Sequence, residues 1–157
     1  SSTTVTFDCT GDAATGAILM IWEATGINTA NPVRQFNSAA TTSTNPAISL
    51  SSNMMTSNAY IAAFGMHNTN PPTVTEPSSW TEIADVGFGS PAKGAAGAYR
   101  VNGESGTAIT FTRAGSAPYG IIAAEICDSS NCNAGSLPLY LRIIEGSENY
   151  ESSPGGF

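Results

Sequence analysis

Ala59-Tyr60-Ile61-Ala62-Ala63-Phe64-Gly65-Met66 is an unbroken apolar run of strand length. A Pro-rich segment follows it at Pro71, Pro72 and Pro77. Such a run, bounded by turn residues, reads as a strand buried in a sheet. Two more runs repeat the pattern, Ala17 to Glu23 upstream and Tyr119 to Ile126 downstream; a short helix is the alternative for the first, disfavoured by its brevity and flanking glycines. Between them lie shorter alternating stretches. Thr3 to Phe7 puts Val5 and Phe7 on one face, and Ala47 to Leu50 puts Ile48 and Leu50 on one face. Trp80 to Val86 alternates with an ambiguous inner side. Ala24 to Pro46 is mostly turn and loop, with Val33 to Phe36 a short strand at most.

Further along, Gly87 to Gly94 reads as a glycine-rich turn. Ala95 to Val101 and Thr107 to Arg113 are joined by Asn102-Gly103-Glu104-Ser105-Gly106, a hairpin connection by composition. Leu137 to Ile144 closes the series. No stretch carries a sustained 3.6-residue stripe with caps. Eight or nine short strands therefore predict an all-β fold, an antiparallel β-sandwich of jelly-roll or Ig-like type. Residues 1–144 form its single domain, and the polar residues 145–157 form a flexible tail or assembly arm with Tyr150 and Phe157 as its anchors.

Of 157 residues only 11% are charged, against about a quarter in ordinary soluble domains. Five Lys and Arg face twelve Asp and Glu, a net charge of -7, which argues against nucleic acid and anionic membranes as partners. No apolar run approaches the ~20 residues of a spanning helix, so no membrane insertion is expected. No basic stretch leads into an apolar core at the start, so no signal peptide is expected. The Ser/Thr/Asn-rich, Lys-poor composition fits an extracellular or virion surface. No Asn-x-Ser/Thr acceptor occurs, which favours a bacterial or viral source.

Chemistry-bearing residues are sparse. Cys127 and Cys132 bracket a turn-forming Asp-Ser-Ser-Asn and are candidates for a short-loop disulfide, with free thiols in a reducing compartment as the alternative. Cys9 reads as a small buried residue. Cys9 and His67 match no zinc-ligand spacing. Asp8 with Asp12, or Asp128 with Asn131 and Asn133, have oxygen ligands for calcium, but the spacing is not that of an EF-hand and solvated turns account for them. No metal site is assigned. Glu23 and Glu125 end two similar segments, Gly16 to Glu23 and Gly120 to Glu125, each preceded by an alternating Thr/Phe strand. A facing carboxylate pair would suit glycoside hydrolysis; the plainer account is that each marks a strand leaving the core. There is no Gly-x-Ser-x-Gly elbow and no nucleotide-binding glycine motif in a strand-to-helix context. No catalytic residue and no cofactor are expected. Recognition, if any, belongs on the loops, with His67, Asn68, Asn70, Trp80 and Phe88 as contact candidates.

One pattern extends over about Thr3 to Ile126. It runs through Trp22-Glu23-Ala24-Thr25-Gly26-Ile27, Pro32-Val33, Ala59 to Phe64 and Ser79-Trp80-Thr81-Glu82-Ile83. Ala98-Tyr99-Arg100, Ile109-Thr110-Phe111-Thr112 and Ile122 to Ile126 complete it. These short strand and turn signatures resemble a β-sandwich module of tailed-bacteriophage structural proteins and bacterial surface proteins. The resemblance implies a decoration, fibre or adhesion role, packing against copies of itself or a capsid or tail scaffold, with no catalytic residues. A carbohydrate-binding adhesin, with a glycan as partner, is the alternative, and a glycoside hydrolase the third reading.

Overall fold

The computed structural model describes residues 20–67, 73–90 and 92–129. Nine strands form, and no helix occurs among the described residues: β1 (Val33–Ser43), β2 (Ala47–Ser49), β3 (Ala59–His67), β4 (Val74–Thr75), β5 (Thr81–Gly89), β6 (Ala92–Arg100), β7 (Ala108–Thr110), β8 (Thr112–Arg113) and β9 (Ala117–Ile126). The main sheet has the order β1-β9-β3-β6-β5, with every neighbouring pair antiparallel. Two small antiparallel ladders, β2-β7 and β4-β8, supply the second layer. The protein is thus all-β and antiparallel, a sandwich with one broad sheet and one fragmented one. No helix among the described residues is long and apolar enough to cross a membrane.

The two apolar runs that end at Met66 and Ile126 occupy the centre because they can be covered on both faces. Along β9 the buried positions alternate strictly, Ala117, Tyr119, Ile121, Ala123 and Glu125. On β3 the inward set is Tyr60, Ala62, Phe64 and Met66, which packs with Ile48, Leu50, Ile109 and Phe111 of the small sheet. The Phe64 and Phe111 rings meet edge-on at 5.0 Å, and both are fully buried. Burying side chains such as Phe64, Phe111 and Ile121 stabilises the fold by about 1.5–3 kcal/mol each. The β2-β7 ladder is lengthened by Phe111 N–H to Pro46 O, Leu50 N–H to Thr107 O and Met54 N–H to Gly106 O, at 2.7–2.9 Å.

Several expectations change. Met20 to Thr25, the described part of the apolar run expected as a buried strand, forms no ladder, and Ile21 is 62% exposed. This segment crosses the outer face of the main sheet. A Cβ on Gly97 would lie 2.8 Å from Met20 Sδ and 3.6 Å from Trp22 Cζ2, so the missing side chain makes room for the crossing. Conversely, the short strand expected at Val33 to Phe36 continues through Asn37 to Ser43, expected as loop, to make β1, an eleven-residue strand. The glycines of Gly87 to Gly94 lie mostly inside β5 and β6 rather than in a turn. Val74 and Thr75, within the Pro-rich segment expected to lie outside any sheet, pair with Arg113 and Thr112. The expected hairpin does not form either. β6 pairs with β3 and β5, whereas β7 pairs with β2 in the other layer, so Asn102 to Gly106 carries the chain between layers.

Candidate functional site

Three polar constellations stand out, and each is positioned by a different edge of the sandwich. The first is an open groove of about 400 Å³ lined by Ser78, Ser79, Trp80, Arg100, Glu104 and Thr110, among others. The turn before β5 closes through Trp80 N–H to Pro77 O and holds Ser79 at φ 67°, a left-handed conformation usually given to glycine. Among the described residues Ser79 is the one non-glycine with positive φ, and such positions often accompany sites. The groove's polar groups, however, face one another. Trp80 Nε1–H donates to Glu104 Oε1 at 2.7 Å, and Arg100 Nη1 meets the same oxygen at 2.6 Å. Arg100 also donates to the carbonyls of Asn102 and Gly103, so the guanidinium is wrapped by the inter-layer loop. The Trp80 ring itself is 9% exposed and packs on Tyr60 at 6.2 Å. That ring is core, with only its edge at the groove.

The second constellation surrounds Glu125, which is 0% exposed on the inner face of β9. Oε1 accepts from Met55 N–H at 2.9 Å and Asn58 Nδ2 at 2.7 Å; Oε2 accepts from Gln35 Nε2 at 2.6 Å and Arg34 Nη1 at 2.7 Å. Burial alone would raise its pKa, but these four donors outweigh it and hold the carboxyl below its ordinary value. A bulge between Val33 and Gln35 lets both Arg34 and Gln35 reach this carboxylate. Nearby, the Tyr60 hydroxyl donates to Met55 O, and its pKa is pushed up to about 12 by burial and by the negative charges of Glu125 and Glu104. The cage ties β1, β9 and the loop between β2 and β3 together. The four donors fill the acceptor positions of the carboxylate, so Glu125 has no lone pair left for a substrate.

The third lies at the opposite end of the sheet. Glu76, Glu82 and Asp85 bring one carboxylate oxygen each within 4.8 Å of one another. Asp85 is on the inner side of β5, opposite Ala96, and accepts from Val74 N–H, while its Oδ1 is buried without a hydrogen-bond partner among the described residues. Burial first, then repulsion from Glu82 and Glu76, pushes its pKa up to about 6. Three carboxylates of this kind supply about half the oxygens that a calcium ion takes, with the exposed side left to water.

The residues singled out from sequence do not converge. Glu23 is exposed and outside any strand, while Glu125 is fully buried, so the two are not equivalent strand ends and Glu125 is not leaving the core. Cys127 is buried and disulfide-bonded, and its partner sulfur lies outside the described residues, as do both Cys9 and Cys132. Asn68, Asn70, Tyr150 and Phe157 lie outside them too, with Asp8, Asp12, Asn131, Asn133 and the expected strands Thr3 to Phe7 and Leu137 to Ile144. The backbones of His67 and Phe88 face each other only through β6, each paired with Lys93. The acidic triad and the Arg34–Glu125 pair escaped the sequence reading. For Glu125 the signal was present: it shares the phase of Tyr119, Ile121 and Ala123. No family model, no curated protein and no solved structure matches this chain.

Proposed function

We propose that this chain is a non-enzymatic structural protein of a virion or extracellular surface, packing against itself or against a capsid or tail scaffold. The observation that carries this reading is the outer face of the main sheet. Ile61, Ala63 and Gly65 on β3 and Ile122, Ala124 and Ile126 on β9 are all apolar there and only partly buried. Phe36, Val86 and Tyr99 border them at 37–40% exposure. Met20 and Trp22 of the same chain cover this face around Gly97, and the partly exposed apolar positions left beside them are of the kind that monomeric proteins rarely leave contiguous without a partner. The low charge of the whole chain supports the same reading, since neutral polar groups are cheaper to bury than ions. The resemblance to phage decoration and bacterial surface modules points the same way.

Hydrolysis is disfavoured because a general acid needs a raised pKa and a free proton site, and Glu125 has the opposite. Carbohydrate binding would have to proceed without the face of Trp80. An antibody against the purified chain should label particle or cell surfaces by immunogold microscopy. Label confined to soluble extract would sink the proposal, and selective binding on a glycan array would favour the adhesin.

A further inference from the structure

The main sheet has two edges, and they are protected very differently. Along β5 the ladder is broken by a bulge between Glu82 and Ala84, the strand carries Glu82 and Asp85, and Gly87 and Gly89 weaken its far end. Charge, bulges and glycines are the devices that stop an edge from pairing with another chain. β1 has none of them after Gln35. Its register with β9 runs unbroken from Gln35 to Ser43. The seven residues Phe36 to Thr42 are all exposed, and none is charged or proline. At eleven residues, β1 is about twice the usual strand length. One side of it is held by β9; the other pairs with no strand among the described residues, although Ser38 N–H donates to Asn37 Oδ1 and Asn37 Nδ2 to Ser49 O.

We infer that this outer edge of β1 is where a second copy of the chain adds, antiparallel and about a two-fold axis, joining two five-stranded sheets into one of ten strands. The inference rests on the packing function proposed above and names a partner for it. A second copy fits for three reasons. An antiparallel edge is complementary to its own two-fold image, because donors of one strand meet acceptors of the other. With a net charge of -7, two copies repel each other except where the surface is neutral, and Gln35 to Ser43 carries no charge. The nearest charge, Arg34, is neutralised within its own chain by Glu125 at 2.7 Å. Finally, the residues brought together near Ala39 and Ala40 are small (Ser38, Thr41 and the alanines), so no side chain obstructs the approach. Head-to-tail addition of β1 to β5 would build an open filament, but the β5 bulge and carboxylates oppose it, which leaves a closed dimer.

The interface is a strand edge rather than a broad face, so its affinity is modest and gains most where many copies are held on one surface. Sedimentation equilibrium of the full chain, from low micromolar to millimolar, should show reversible dimerisation that persists in reductant. Ala40→Lys or Thr42→Lys, each confirmed folded by circular dichroism and melting, should weaken the dimer by ~10-fold or more through like charges placed near the axis. Thr112→Lys, at an exposed position of β8 in the other layer, should leave it unchanged. A wild-type chain that stays monomeric at millimolar concentration overturns the inference, as does a dimer lost in reductant or a dimer indifferent to both β1 lysines. Surface labelling by the antibody together with a monomeric chain would remove only the dimer; dimerisation without surface labelling would remove only the packing role.

Discussion

Glu125 and Asp85 are both inward-facing carboxylates of the same sheet, one on central β9 and one on edge strand β5, yet their ionisation is pushed in opposite directions. Glu125 is the more deeply buried, and its pKa is lowered; Asp85 is partly buried, and its pKa rises to about 6. Depth of burial therefore does not decide the sign. The number of donors does. Glu125 has a guanidinium, two side-chain amides and a backbone N–H, whereas Asp85 has one backbone N–H and two acidic neighbours. One end of the sheet is an ion made safe to bury, and the other holds charge that folding works against.

The strongest attack on this contrast is Glu125→Leu. It strands Arg34, Gln35, Asn58 and the Met55 N–H around an apolar side chain, and should cost about 3–5 kcal/mol in urea denaturation. A loss below ~1 kcal/mol would mean the cage is not holding β1 to the body. Asn58→Ala should cost less, about 2 kcal/mol, because it removes one donor to Glu125 and the acceptor of Asp128 N–H at 3.2 Å. It should also raise the pH at which acid unfolding begins. Glu125's contribution is present above its ordinary pKa and disappears as pH falls through its lowered folded value.

Asp85 works with the reverse sign. Its folded pKa of about 6 exceeds the ordinary 3.8, so the folded state binds the extra proton between those values. Its stabilising contribution is complete below the ordinary value and is lost as pH rises through about 6. Stability should therefore climb on acidification from neutral pH and fall again once Glu125 protonates. Asp85→Asn should remove the climb and stabilise the protein at pH 7 by about 1 kcal/mol after solvent screening; a flat wild-type profile would contradict the raised pKa. The smallest effect belongs to Glu82→Gln. Burial is the larger cause, so the Asp85 midpoint, followed by NMR, should drop but remain above its ordinary value.

How much of this was readable in advance varies by segment, for physical reasons. Ala59 to Met66 and Tyr119 to Ile126 were legible because continuous apolar strands are covered on both faces, and they are the centre of the sheet. β1 beyond Phe36 was illegible for the complementary reason: Phe36 to Thr42 is exposed on both faces, so no period of two is imposed on its side chains. Ala17 to Glu23 has a core strand's composition, but its described residues serve as a cover over Gly97, which requires apolar atoms without requiring a ladder. The loop Asn102 to Gly106 was visible as a turn. Its role as a passage between layers was not, since pairing partners are chosen by long-range contacts.

The sequence by itself determined the class of this protein: an antiparallel all-β domain with a neutral surface, because short apolar runs separated by Gly, Pro and Asn admit little else. The tertiary structure decided which strands became neighbours and which carboxylates remained charged. Those outcomes depend on what a side chain meets across the sheet. Glu125 meets Arg34, 91 residues away, and that meeting has no local trace in the chain.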